Sequence, residues 1–134
     1  MAAPAVLIDS SVWIDYYRPR GSKALQDRVR EVLSRDVVVT TGIIVVEVLQ
    51  GARTEEAYTV LWDDFSGLRW LEPSPEAIET AARLGFELQQ RGTPVPATDL
   101  IIASVAMAHG CRIWHRDAHF TRIAGRSPLL AEQL

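Results

Sequence analysis

The chain has 134 residues, of which 48% are hydrophobic and 23% charged, and a formal net charge of −3. That length buries one core and hardly two, and the composition is far from the polar signature of disorder, so one self-folding domain over residues 1–134 is expected. The N-terminal segment carries no basic residue and the longest near-apolar run, Leu100 to Ala108, is too short to span a bilayer, while the single cysteine, Cys111, excludes an internal disulfide.

Ala5-Val-Leu-Ile-Asp9 is a short apolar run that ends on a carboxylate and is followed by Ser10-Ser11, the pattern of a buried strand entering a turn. A helix from Val12 to Tyr17 is interrupted by Pro19 and Gly21. Ser22 then caps a second helix to about Ser34, with Leu25, Val29, Val32 and Leu33 on one face. Val37 to Thr40 reads as a strand, and Thr41 or Gly42 opens a helix over Ile43 to Gln50 that Gly51 closes. A helix from Thr54 to Phe65 and a short strand over Leu68 to Leu71 come next. Ser74-Pro75 opens a long amphipathic helix with Ile78, Ala82, Leu84 and Leu88 at core spacing, stopping near Gly92. Gly92 to Ala97 is a loop, and Thr98-Asp99 opens the helix Leu100 to His109, closed by Gly110. Arg112 to His115 is the last clear strand, with Asp117 just past it and a short helix from Ala118 to Ala124.

Strands alternating with helices imply a central, mainly parallel sheet with helices on both faces, an α/β/α sandwich, because right-handed crossovers place the helices there. In such sheets the functional crevice lies outside the carboxyl ends of the strands, where Asp9 and Asp117 fall.

Four acidic residues stand out. Asp9 has an ordinary reading as a turn residue, and Asp99 and Asp117 have one at helix N-termini, where a carboxylate contributes about 0.5–2 kcal/mol. Glu47 is different: its helix, Ile43-Ile-Val-Val-Glu-Val-Leu49, is apolar nearly all round, with no Lys or Arg within a turn. An uncompensated buried carboxylate costs several kcal/mol, so a distant side chain or a cation must meet it. Carboxylates gathered at one sheet end repel one another unless a divalent cation holds them, and hard oxygen donors without cysteine suit Mg²⁺ or Mn²⁺. Such an ion promotes hydrolysis of phosphate esters. The Ser11 hydroxyl either orients a ligand or caps a helix.

The charge of −3 argues against gripping nucleic acid through bulk positive charge. Without the four carboxylates, however, 13 acidic residues face 14 basic ones, 13 of them arginines, whose planar fork suits phosphate. Trp13 reads as core, Tyr16 and Tyr17 as interface, Cys111 as a core thiol, and His109 as a helix C-terminal residue.

Leu7-Ile-Asp-Ser-Ser-Val-Trp-Ile-Asp15, Glu47-Val-Leu-Gln-Gly-Ala-Arg53, Thr98-Asp-Leu-Ile-Ile-Ala103 and His115-Arg-Asp-Ala-His-Phe-Thr-Arg-Ile123 resemble, in order, the four motifs of the PIN-domain ribonucleases, and more narrowly of the VapC toxins of type II toxin–antitoxin pairs. The resemblance implies a PIN-like fold, and Asp9, Glu47, Asp99 and Asp117 as the residues that bind one or two Mg²⁺ ions, with Ser11 in support. It also implies water attack on an RNA phosphodiester, leaving a 5′-phosphate and a 3′-hydroxyl, in transfer or ribosomal RNA, with arrest of translation. A homodimer inhibited by a VapB-like antitoxin, and a toxin–antitoxin hetero-oligomer, follow from the same likeness, while the expected cytoplasmic location rests on the N-terminal segment and the short apolar run noted above. His119 departs from the pattern, standing where many PIN domains have another acidic residue, and Arg116 reads as a phosphate or antitoxin contact or a plain surface arginine. A PIN-like module that binds RNA or protein without catalysis is the alternative. A receiver domain lacks its late lysine here, since Lys23 is the sole lysine, and a dehalogenase-like phosphatase lacks its second aspartate after Asp9.

Overall fold

The computed structural model describes residues 4–134. Five parallel strands lie in the order β3-β2-β1-β4-β5: β1 (Val6–Ile8), β2 (Val38–Thr40), β3 (Arg69–Trp70), β4 (Arg112–His115) and β5 (Leu130–Gln133). Val6 pairs with Val38 on one side and Arg112 on the other, so β1 is central, and its Leu7 and Ile8 are fully buried. Seven helices connect the strands: α1 (Ser10–Tyr17), α2 (Lys23–Ser34), α3 (Gly42–Leu49), α4 (Glu55–Ser66), α5 (Pro75–Gln90), α6 (Ala97–Ala108) and α7 (Ala118–Ala124).

The chain winds outward from β1 to β3 through α1–α4, then returns past β1 through α5 and α6 to β4. Right-handed crossovers of opposite travel place the two helix sets on opposite faces, giving the three-layer α/β/α architecture. The strand order therefore reverses between β1 and β4, and in open sheets of this kind the binding crevice lies outside the carboxyl ends of the strands at that point. None of the described helices is long and apolar enough to cross a membrane.

Four elements differ from the sequence reading. The strand β5 is absent from it because Leu-Ala-Glu-Gln carries little strand signal; Leu130 is exposed, and the segment is held by its register on β4 and by an Arg28–Glu132 ion pair at 2.9 Å. On α5 the buried stripe is Ala77, Ala81, Leu84 and Leu88, leaving both Ile78 and Ala82 exposed. The small residues win because α5 packs closely on α6: a Cβ on Gly85 would lie 2.7 Å from Leu100 Cδ1. Finally, α1 begins at Ser10 and α6 at Ala97, each earlier than the pattern suggests. The C-terminus of α6 closes as expected, with Gly110 at φ 64° and Cys111 N–H donating to the Ala106 carbonyl at 2.9 Å, which turns the chain into β4.

Candidate active site

Asp9 leaves β1 at its carboxyl end and caps α1. Its Oδ2 accepts from the Ser11 backbone N–H at 3.0 Å and from the Ser11 hydroxyl at 2.6 Å. Its other oxygen, Oδ1, is buried and has no partner among the described residues. The turn-residue reading thus accounts for half of this carboxylate and leaves half unexplained. Burial pushes the Asp9 carboxyl above the usual range, against the lowering effect of the Ser11 bonds.

Ser11 does more than cap. Its oxygen also accepts the backbone N–H of Arg116 at 3.0 Å, tying the start of α1 to the loop that carries Asp117. The Arg116 guanidinium reinforces the same junction, with Nη1 2.7 Å from Asp15 Oδ2. Arg116 is therefore paired within the chain.

Glu47 lies in α3, half-buried, and its Oε1 accepts from the Ser10 hydroxyl at 3.3 Å. The expected all-round burial of this helix is corrected: Ile44, Val45, Val48 and Leu49 are buried, but Val46 is exposed, and the distant side-chain partner is Ser10. Burial raises the Glu47 carboxyl first, and the charge of Asp9 raises it further, with smaller contributions from Asp99 and Asp117.

Asp99 is buried in the first turn of α6, where its charge suits the helix N-terminus as expected, although Pro96 and not Asp99 is the N-cap. Its Oδ2 instead lies 2.9 Å from His119 Nδ1. Burial raises its pKa, His119 lowers it, and the charges of Asp9 and Asp117 raise it. Asp117 does cap its helix: Oδ1 accepts the His119 backbone N–H at 2.9 Å, and lies 3.1 Å from His119 Nδ1. The Asp117 N–H is held in turn by His115 Nδ1 at 3.3 Å; His115 is fully buried, and burial lowers its pKa.

The structure thus gathers Asp9, Glu47, Asp99 and Asp117 at the carboxyl ends of β1 and β4, where Asp9, Glu47 and Asp99 each feel the charge of Asp117. The ligand atoms of Asp99, Asp117 and His119 lie within 4.8 Å of one another, a group able to hold a metal ion. His119 is the member that sequence reasoning left as a departure from a motif; its position two residues past Asp117, at a helix start, was the available signal. Beside Glu47 a groove of about 850 Å³ is lined by Ile14, Tyr17, Arg18, Arg20 and Arg53.

Trp13 is core, stacked on Tyr17 and edge-on to Phe65. Tyr16 and Tyr17 are half-buried against it, and the Tyr17 hydroxyl donates to Asp64 at 2.9 Å. Cys111 is buried, which raises its thiol pKa, and His109 ends α6.

Residues 6–126 match the PIN domain family. Ribonuclease VapC11 of Mycobacterium tuberculosis is 37% identical over 124 residues, covering 89% of this chain and 91% of that protein. Ribonuclease VapC18 of the same organism is 27% identical over 121 residues, covering 87% and 85%. Among solved structures, VapBC2 from Rickettsia felis bound to a DNA fragment from its promoter superposes with a TM-score of 0.78 at 20% identity, covering 97% of this chain and 98% of that one. Mycobacterium tuberculosis VapC20, a sarcin–ricin loop cleaving toxin, does so at 0.69 and 16% identity, covering 94% and 99%. The four carboxylate motifs, the parallel sheet that brings them together and this likeness over most of the sequence agree: the chain belongs to the PIN domain family and, within it, to the VapC ribonucleases.

Proposed function

We propose that the chain is the toxin of a type II toxin–antitoxin pair and hydrolyses RNA phosphodiester bonds with Mg²⁺, or Mn²⁺ in its place, held by Asp9, Glu47, Asp99 and Asp117. The observation that carries this reading is Asp9, 3% exposed, one of whose carboxylate oxygens has no partner among the described residues, beside the repelling charge of Asp117. A desolvated, unpartnered acceptor among like charges is costly, and a hard cation is the group that relieves it.

When bound, the ion supplies a water deprotonated near neutral pH and neutralises charge on the phosphodiester. The chain's own residues do the rest. Ser11 fixes the Asp9 rotamer and locks it to the Arg116 backbone. Ser10 turns Glu47 toward Asp9, and the backbone N–H groups of Ser11 and His119 hold Asp9 and Asp117 at their helix starts. Arg18, Arg20 and Arg53 line the groove next to Glu47 and suit the flanking phosphates of a bound strand.

The partner is a VapB-like antitoxin in a hetero-oligomer built on a toxin homodimer, in the cytoplasm. Support comes from apolar side chains left open on α3 and α4, Val46, Tyr58, Val60 and Trp62, the kind of surface that partner chains cover. The fold-level likeness to VapBC complexes points the same way.

The test is incubation of purified, antitoxin-free protein with total cellular RNA in Mg²⁺, in Mn²⁺ and in EDTA, with Asp99→Asn alongside. Metal-dependent cleavage at discrete sites, lost in the variant, bears the reading out. Folded, metal-loaded protein that leaves all RNA intact would make the chain a binding module instead.

A further inference from the structure

His119 has two separate contacts with the acidic centre. Its backbone N–H satisfies the Asp117 cap, so the ring is not needed to start α7. The ring nevertheless turns inward, with Nδ1 2.9 Å from Asp99 Oδ2 and 3.1 Å from Asp117 Oδ1. For the Asp99 side chain this nitrogen is the one hydrogen-bond partner among the described residues. The imidazole also stays about one-third exposed, so a hydrated ion can reach it from solvent. A second observation is independent of the His119 ring: Asp9, 3% exposed and within reach of the Asp117 charge, has a buried Oδ1 with no partner among the described residues, as a carboxylate awaiting a cation would.

We propose that His119 is itself a metal ligand, and that with Asp99 and Asp117 it forms a mixed nitrogen–oxygen position selective for a first-row transition ion over Mg²⁺, beside an all-oxygen position at Asp9 and Glu47. The inference rests on the metal-dependent reading above. Mg²⁺ is small, dehydrates reluctantly and takes oxygen donors, whereas first-row divalent ions accept imidazole nitrogen alongside carboxylate. One histidine in place of a carboxylate therefore changes which ion the second position holds, not whether the crevice holds one. Mn²⁺ is the most demanding probe, being the weakest binder of the first-row series, so a preference for it over Mg²⁺ extends to the ions above it.

The experiment uses the full chain, freed of metal and titrated with Mn²⁺ alone and in competition with Mg²⁺, with binding followed by the electron paramagnetic resonance of free Mn²⁺. A pulsed spin-echo measurement on the loaded protein reads coupling to ¹⁴N of a bound imidazole. The expected results are ¹⁴N coupling in the wild type, its loss in His119→Asp, and a fall of about tenfold or more in the Mn²⁺-to-Mg²⁺ affinity ratio in that variant. Should His119→Asp not fold, His119→Asn removes the ring at similar size and is expected to lose the coupling likewise. Mn²⁺ bound without ¹⁴N coupling, or an affinity ratio unchanged in His119→Asp, overturns the role of His119 while leaving the carboxylate centre intact. A wild type that binds neither ion overturns both readings.

Discussion

The Ser11 hydroxyl donates to Asp9 Oδ2 at 2.6 Å while accepting the backbone N–H of Arg116, so one side chain couples the end of β1 to the loop after β4. Both hydrogen bonds fix the distance between Asp9 and Asp117 rather than touch substrate. Ser11→Ala is expected to cut metal affinity and kcat by about 10–100-fold, as loss of a group supporting a metal ligand typically does, with little change in KM for RNA. The lost hydrogen bonds cost about 1 kcal/mol of stability, visible as a lower melting temperature. Ser11→Thr, which keeps the hydroxyl, should recover most of the activity. A folded Ser11→Ala protein cleaving at the wild-type rate would refute this coupling.

The same crowding of carboxylates predicts a pH dependence. Burial raises Asp9, Glu47 and Asp99 above their ordinary values of 3.8, 4.5 and 3.8, and the charge of Asp117 adds to it in each case. The folded chain then holds protons that the unfolded chain has released. The contribution of these groups to stability is intact below the ordinary values and is lost as pH rises through the raised folded ones. A divalent cation binds the ionised carboxylates and reverses the loss. The rise in melting temperature on adding Mg²⁺ or Mn²⁺ should therefore be several degrees at about pH 7.5 and much smaller at about pH 5. Equal gains at both values would show that the ion binds elsewhere.

Glu47→Gln separates stability from activity. Desolvation is the largest cause of its raised pKa and the Asp9 charge the next, and an amide of the same shape removes both while still accepting from Ser10. In EDTA the variant should melt about 2 °C above the wild type, the scale of a few tenths of a kcal/mol for a chain this size. In Mg²⁺ or Mn²⁺ the order should invert, and cleavage should fall at least about 100-fold. A Glu47→Gln protein destabilised in EDTA would mean that the charge is compensated within the chain.

What was legible in the sequence follows from where the signal sits. Three of the carboxylates were readable because they interrupt or border an apolar run: Asp9 ends Val-Leu-Ile, Asp99 precedes Leu-Ile-Ile, and Glu47 stands between Ile-Ile-Val-Val and Val-Leu. Their convergence was not, since it depends on the return from β3 past β1 to β4, which alternation of strands and helices does not specify. The edge strand β5 was missed because its pairing is backbone to backbone and its side chains are largely exposed. The ring orientation of His119 was equally hidden, being set by the α6–α7 packing that brings Asp99 beside it across twenty residues.

Gly85 links the fold to the site. It lies where α5 crosses α6, and any Cβ there would press on Leu100, the residue directly after Asp99. Replacing glycine within a helix by alanine would gain about 1 kcal/mol of helix propensity, enough to offset a yielding neighbour. Valine offers no such offset: its branched side chain adds volume against the buried Leu100 and is itself stiff in a helix. Gly85→Val is therefore expected to cost about 2 kcal/mol in chemical denaturation. Because the strain falls on the first turn of α6, the variant should also lose metal affinity, by a larger factor than its fraction unfolded accounts for. Loss of stability with full metal affinity in the folded fraction would show that α6 yields as a rigid body, carrying Asp99 and its contact with His119 along unchanged.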